Sequence, residues 1–189
     1  MTALVLGLLL LLGTHSVSIV NAAWRNEMAA RFSAGQWKGI YAAVSLLGLV
    51  LVIYGFGGAR VNPFVLYVPP WWLRPVTILL MIPVFPLLLA AYLPGHIKSA
   101  AKHPMVLAVK IWAAAHLLSN GTLPDVLLFG SFLAWGVAER VSLKRRAPSQ
   151  VPEPAESVRN DAIVVAGGLL LYLLFMAWLH PLLIGVSVV

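Results

Sequence analysis

Histidine is the residue type in this sequence best suited to chemistry, and two of its histidines lie inside long apolar runs. His15 falls about two thirds of the way along Thr2–Val20, and His116 lies well inside Met105–Asn120. An ionisable group is expensive in hydrocarbon, so an intramembrane imidazole reads as functional by default. The alternative for each is a hydrogen bond across a helix pair, a structural glue. A neutral imidazole is a good metal ligand. Two of them, from separate helices facing a common cavity, can grip the iron of a b-type haem within a helical bundle. The chain has no cysteine, which removes thiolate zinc sites, iron–sulfur ligation and covalent c-type haem attachment together.

The surroundings of the two histidines extend this reading. Met105, Val109, Trp112, His116 and Asn120 recur at helical spacing and form one stripe. Trp112 either walls a flat apolar ligand or packs as core, and Asn120 either orients the imidazole or contacts substrate. Lys110 lies about 9 Å from the start of its helix, near enough to snorkel toward a haem propionate, a carboxylate or a lipid phosphate. Tyr41, Ser45, Gly48 and Val52 share a face of the second apolar run, and Tyr172, Met176 and His180 share one in the last. Both add polar points to a cavity. His180-Pro181 reads first as a helix end, and His96 and His103-Pro104 as interfacial positions. His180 and His103 stand as alternates for an iron ligand.

These residues need helices to position them. Of 189 residues 61% are hydrophobic and only 10% charged, with a mean hydropathy of +0.92, far above the apolar content of soluble domains. A chain that spans lipid must close its backbone hydrogen bonds internally, which here means an all-α fold. Six apolar runs follow one another: Thr2–Val20, Lys38–Gly57, Pro75–Leu93, Met105–Asn120, Leu123–Val141 and Ala162–Val186. Each approaches the span of about 20 residues needed to cross a bilayer, the fourth falling short. The expectation is a polytopic bundle of about six transmembrane helices forming a single domain over residues 1–189. The first run lacks a basic leader and carries a His-Ser pair, so it reads as a retained helix rather than a signal peptide.

Charge sets the orientation. Arg25, Arg31, Lys38, Lys98, Lys102, Arg140, Lys144, Arg145, Arg146 and Arg159 fall in one set of loops, against Arg60 and Arg74 in the other. The positive-inside rule makes the first side cytoplasmic and puts both termini on the non-cytoplasmic side of a bacterial inner membrane. On that assignment His15 and His116 lie on the order of 10 and 16 Å from the cytoplasmic edge, a difference that helix tilt absorbs. The net charge of +7 is thereby explained by topology and gives no reason to expect nucleic acid. Trp24–Trp37 alternates charged and apolar residues and fits a short amphipathic helix at the interface. Val61–Arg74 is too rich in proline for a helix and suits an aromatic anchor, while Pro83 and Pro86 are expected to bend the third helix. About 142–160 reads as a flexible cytoplasmic linker. Gly55-Phe56-Gly57-Gly58 closes a hydrophobic run instead of following a strand, so it is a helix exit and not a dinucleotide loop. The six acids lie at helix ends or in loops, leaving no basis for two-carboxylate chemistry.

The run His103-Pro104-Met105, followed by Lys110-Ile111-Trp112-Ala113-Ala114-Ala115-His116-Leu117-Leu118-Ser119-Asn120-Gly121, closely resembles the NnrU family of membrane proteins. Supporting matches are His15-Ser16, Trp37-Lys38-Gly39-Ile40-Tyr41, Leu93-Pro94-Gly95, Asp125 with Leu128-Phe129-Gly130, and His180-Pro181. That family includes 15-cis-zeta-carotene isomerase, a haem b protein with histidine-bound iron, and a bacterial group linked to denitrification. The resemblance implies haem b held by His15 and His116; Trp112, Asn120 and Lys110 are the neighbours that helical spacing offers such a group. It leaves three roles open: a redox-dependent cis–trans isomerase of an apolar polyene, an accessory, sensor or electron carrier in nitrite and nitric oxide metabolism, and a cofactor-free transporter or structural protein. Membrane lipid is a partner in all three.

Overall fold

The computed structural model describes residues 1–146 and 155–188. Among these the regular structure is helical, with no strand beyond one isolated bridge, and the chain forms two compact units. The first comprises residues 1–68 and 121–142, the second 69–120 and 143 onward.

In the first unit α1 (Thr2–Val20) and α3 (Ala34–Ala59) run against each other at close quarters. Glycine permits this. A methyl group at Gly7 would lie 2.5 Å from the main-chain nitrogen of Val52, one at Gly48 would lie 2.7 Å from that of Leu11, and one at Gly55 would overlap Leu4. Lipid offers helices no hydrophobic reward for associating, so close backbone approach and dispersion must hold the pair. The Gly48 and Val52 part of the stripe expected to line a cavity is therefore packed against α1. Gly55 likewise does more than end a helix.

The stretch Trp24–Trp37, expected as one short helix, is instead broken at Phe32 and Ser33: α2 covers Ala22–Arg31 and has no buried residue, and Trp37 belongs to α3. Asn21 caps α2 by accepting from the Trp24 N–H at 2.9 Å, and Trp24 meets Trp37 edge-on at 6.3 Å. Ser33 and Gln36 form a capping box at the start of α3. The proline-rich stretch after α3 stays non-helical up to Leu73. It is sewn to the turn before α8 (Leu123–Arg145): Leu66 and Tyr67 N–H donate to the Gly121 carbonyl at 2.9 and 3.1 Å, and Leu123 N–H donates to that of Phe64 at 2.8 Å. The buried Asp125 carboxylate accepts from the Thr122 N–H and hydroxyl at 3.1 and 2.5 Å and closes the first turn of α8.

In the second unit the third apolar run is split, as its prolines require, into α4 (Leu73–Met81) and α5 (Val84–Ala90). Then come α6 (His96–Ala101), α7 (Pro104–Ser119) and α9 (Val158–Leu174). Val84, Leu87 and Ala108 form a core against which Met81, Ile111 and Trp112 pack. α9 approaches α5 where Gly168 meets Pro86. The last run begins at Val158, ahead of the expected Ala162, and is not uniform: a π-helical turn, Phe175–Leu179, precedes α10 (His180–Ile184). Pro181 has no N–H to give and crowds the carbonyl one turn back, which a widened turn accommodates.

Among the described residues five helical spans are long and apolar enough to cross a membrane, with α4 and α5 together making one and α9 through α10 another, and Pro104–Ser119 is a shorter apolar helix. Their outward surfaces are greasy, with Leu9 66%, Ile53 64% and Leu182 77% exposed. Water would penalise such a surface and lipid matches it; this is a multi-pass membrane protein. The expected linker is shorter than 142–160, because α8 continues to Arg145 and α9 starts at Val158. Its centre, 147–154, lies outside the described residues.

Candidate functional site

His15 sits in the third quarter of α1, where the Nδ1 atom lies 2.7 Å from the Leu11 carbonyl one turn back. A carbonyl can only accept, so Nδ1 carries the proton and Nε2 the lone pair. Tyr41 of α3 meets this ring edge-on at 5.1 Å, and Trp135 of α8 stands nearly perpendicular to it at 6.0 Å. Two polar atoms of this unit, the Trp135 indole nitrogen and the Ser45 hydroxyl oxygen, are buried with no hydrogen-bond partner among the described residues. Such groups are costly unless something satisfies them. Alongside, α1 and α8 border an apolar groove whose walls include Leu8, Leu12, Ser16, Leu127 and Ser131.

His116 repeats the arrangement on α7 in the second unit. Its Nδ1 donates to the Trp112 carbonyl at 2.8 Å, fixing the same tautomer, and the Trp112 ring lies 5.5 Å from the imidazole at a tilt of 52°. Asn120 ends the helix, its side-chain amide donating to the His116 main-chain oxygen at 2.8 Å. Thr77 of α4 is buried and donates to the main-chain oxygen of Ala115 at 2.9 Å. Lys110 is half-buried on α7.

The alternates are placed differently. His103 is the N-cap residue of α7 and accepts from the Leu107 N–H at 3.0 Å. His180 follows the π-helical turn, with Nδ1 donating to the Val186 carbonyl at 2.7 Å and its ring edge-on to Phe175 at 6.0 Å. Sequence reasoning did not single out Trp135 or Thr77. Thr77 had a usable signal, as the lone hydroxyl in the apolar run of α4. Trp135 had none, because its partner His15 lies far away in the chain.

The NnrU protein family model matches residues 3–188, and the chain belongs to this family. No curated protein and no solved structure matches it.

Proposed function

We propose that this NnrU-family membrane protein binds haem b through the Nε2 atoms of His15 and His116, in the inner membrane of a bacterium with both termini outside the cytoplasm. The observation that carries the reading is the shared tautomer. Each imidazole gives its Nδ1 proton to a carbonyl of its own helix, which orients the ring and leaves the Nε2 lone pair to face a metal, as the outer partner of a metal-bound histidine does. Among the described residues no group of three or more His, Asp or Glu could by itself hold a metal ion. The unsatisfied donors at Ser45 and Trp135 fit a site completed by a ligand.

When bound, the haem would supply a redox-active iron. The protein's own residues do the rest. In the second unit Trp112 offers an aromatic wall beside His116 and Lys110 a cation for a propionate; in the first unit the α1–α8 groove is an apolar surface suited to a polyene. The activity this favours is redox-dependent cis–trans isomerisation of an apolar polyene such as 15-cis-zeta-carotene. The second reading, a nitric oxide sensor or electron carrier serving denitrification, is favoured by the Leu117-Leu118-Ser119-Asn120-Gly121 sequence, which follows the bacterial pattern.

An absorption spectrum of protein purified from haem-replete cells, with His15→Ala and His116→Ala beside it, tests the site. A Soret band lost in both variants is expected; no band in the parent protein overturns the reading and favours a cofactor-free role. Expression in cells accumulating 15-cis-zeta-carotene then separates the two activities, since a haem-loaded protein that converts none of it is not this isomerase. A spectral shift of the reduced protein with nitric oxide supports the second.

A further inference from the structure

His96 plays no part in the haem reading, yet both of its ring nitrogens are engaged. It opens α6 directly after Gly95, and Asp161, in the first turn of α9, caps that helix from another part of the chain. One Asp161 oxygen accepts from the His96 N–H at 3.0 Å and from its Nδ1 at 2.8 Å, while the other accepts from the Ile97 N–H at 3.1 Å. A side chain at residue 95 would collide with this carboxylate, which is why glycine stands there. Asn160 adds a bond to the Pro94 carbonyl at 2.7 Å. On the far side of the ring, Nε2 lies 3.3 Å from Glu156 in the segment leading into α9.

Carboxylates accept and do not donate, so both are satisfied at once only when both ring nitrogens carry hydrogen. The geometry is that of an imidazolium between two anions. Other charged or titratable groups on the elements packed here are Lys98 and Lys102 on α6, His103 and Lys110 on α7, and Arg159 on α9. The Asp161 hydrogen bond, and then the Glu156 charge, raise the His96 pKa against a smaller lowering by desolvation.

We propose that His96 is a proton-gated latch: protonated, it fastens Glu156 and the chain entering α9 to the start of α6, and on losing its proton it releases Glu156 while keeping Asp161. The asymmetry follows from the contacts. Asp161 keeps two main-chain N–H donors and a short Nδ1–H bond whatever the charge on the ring. Glu156 has the longer contact and is the more exposed, 46% against 18%. When Nε2 deprotonates, its lone pair faces the Glu156 carboxylate and attraction becomes repulsion. The latch is closed at low pH and open at high pH.

The absence of cysteine makes a direct test available. A nitroxide on Ala155→Cys, at an exposed position beside Glu156, is followed in the full-length protein in lipid nanodiscs from about pH 5 to about pH 8. The label is expected to gain a mobile component as pH rises, with a midpoint that matches the NMR titration of the His96 ring and lies above the ordinary value of about 6.5. Adding Glu156→Ala, which leaves the Asp161 cap untouched, is expected to give the mobile spectrum at every pH; His96→Asn is expected to abolish the step. A pH-independent spectrum in the parent, a step that survives Glu156→Ala, or a His96 ring titrating at or below its ordinary value overturns the latch. If His96→Asn does not fold, Glu156→Ala and the ring titration decide between the outcomes.

Discussion

The Thr77 hydroxyl of α4 donates to the main-chain oxygen of Ala115 on α7 at 2.9 Å, one residue before His116. The same hydroxyl lies 3.1 Å from the Leu73 carbonyl of its own helix. It thus exchanges a local bond for one that ties the histidine-bearing turn to a neighbour. Interhelical bonds of this kind in membranes are worth on the order of 0.6–2 kcal/mol.

Thr77→Val keeps the shape and removes the bond. It is expected to lower resistance to unfolding in detergent by about 1 kcal/mol, while Thr77→Ser stays near the parent. Equal stability of the valine variant would show that the Leu73 carbonyl alone accounts for the hydroxyl.

Two glycine substitutions are expected to behave oppositely. At Gly121 a methyl group would overlap the Tyr67 carbonyl, a main-chain atom with no freedom to swing away. Gly121→Ala is expected to destabilise by about 2–3 kcal/mol, as overpacking does. Gly57 has nothing within 4 Å of an added methyl, and Gly57→Ala is expected to be neutral or to stabilise its helix by up to about 1 kcal/mol. Paired denaturation curves check both.

Trp135→Phe removes a buried N–H that has no hydrogen-bond partner among the described residues. Ligand-free protein is expected to be as stable as the parent, or more so by about 1 kcal/mol. On the proposal that haem is bound and completed by this donor, haem retained through purification is expected to fall. Unchanged haem content in this variant would assign Trp135 to packing alone.

Stability should depend on pH through His96. Its folded-state pKa is raised, by Asp161 first and then Glu156, so its contribution is complete below the unfolded value of about 6.5 and is lost as pH rises through the raised folded value. Thermal unfolding is expected to occur at lower temperature across that window, and His96→Asn to flatten the dependence. The ring is 60% exposed, so the effect should shrink with added salt. A parent profile that rises with pH over the same window would be the wrong sign for this pair.

Much of the fold was legible because membrane crossing is a local property. Runs of about 20 apolar residues, the short fourth run and the prolines at 83 and 86 each act within a few turns of helix. The proline-rich stretch after α3 declared itself non-helical for the same reason. His15 and His116 were conspicuous as imidazoles in apolar surroundings. Their tautomers were not, since these depend on the Leu11 and Trp112 carbonyls being placed by a completed helix. The stripe Tyr41, Ser45, Gly48 and Val52 looked continuous in sequence, yet α1 packs closely against Gly48 and Val52 while Tyr41 meets the His15 ring.

By itself, then, the sequence determined a helical membrane chain of the NnrU type with two histidines inside apolar runs, because hydropathy and local motif spacing need no folded partner. Only the tertiary structure decided what each polar group meets: Asp161 on His96 across 65 residues of chain and Thr77 on Ala115 across 38. Trp135 on His15 is a third such pair. Contacts of that kind form when helices pack, and helical periodicity carries no record of which face will meet which neighbour.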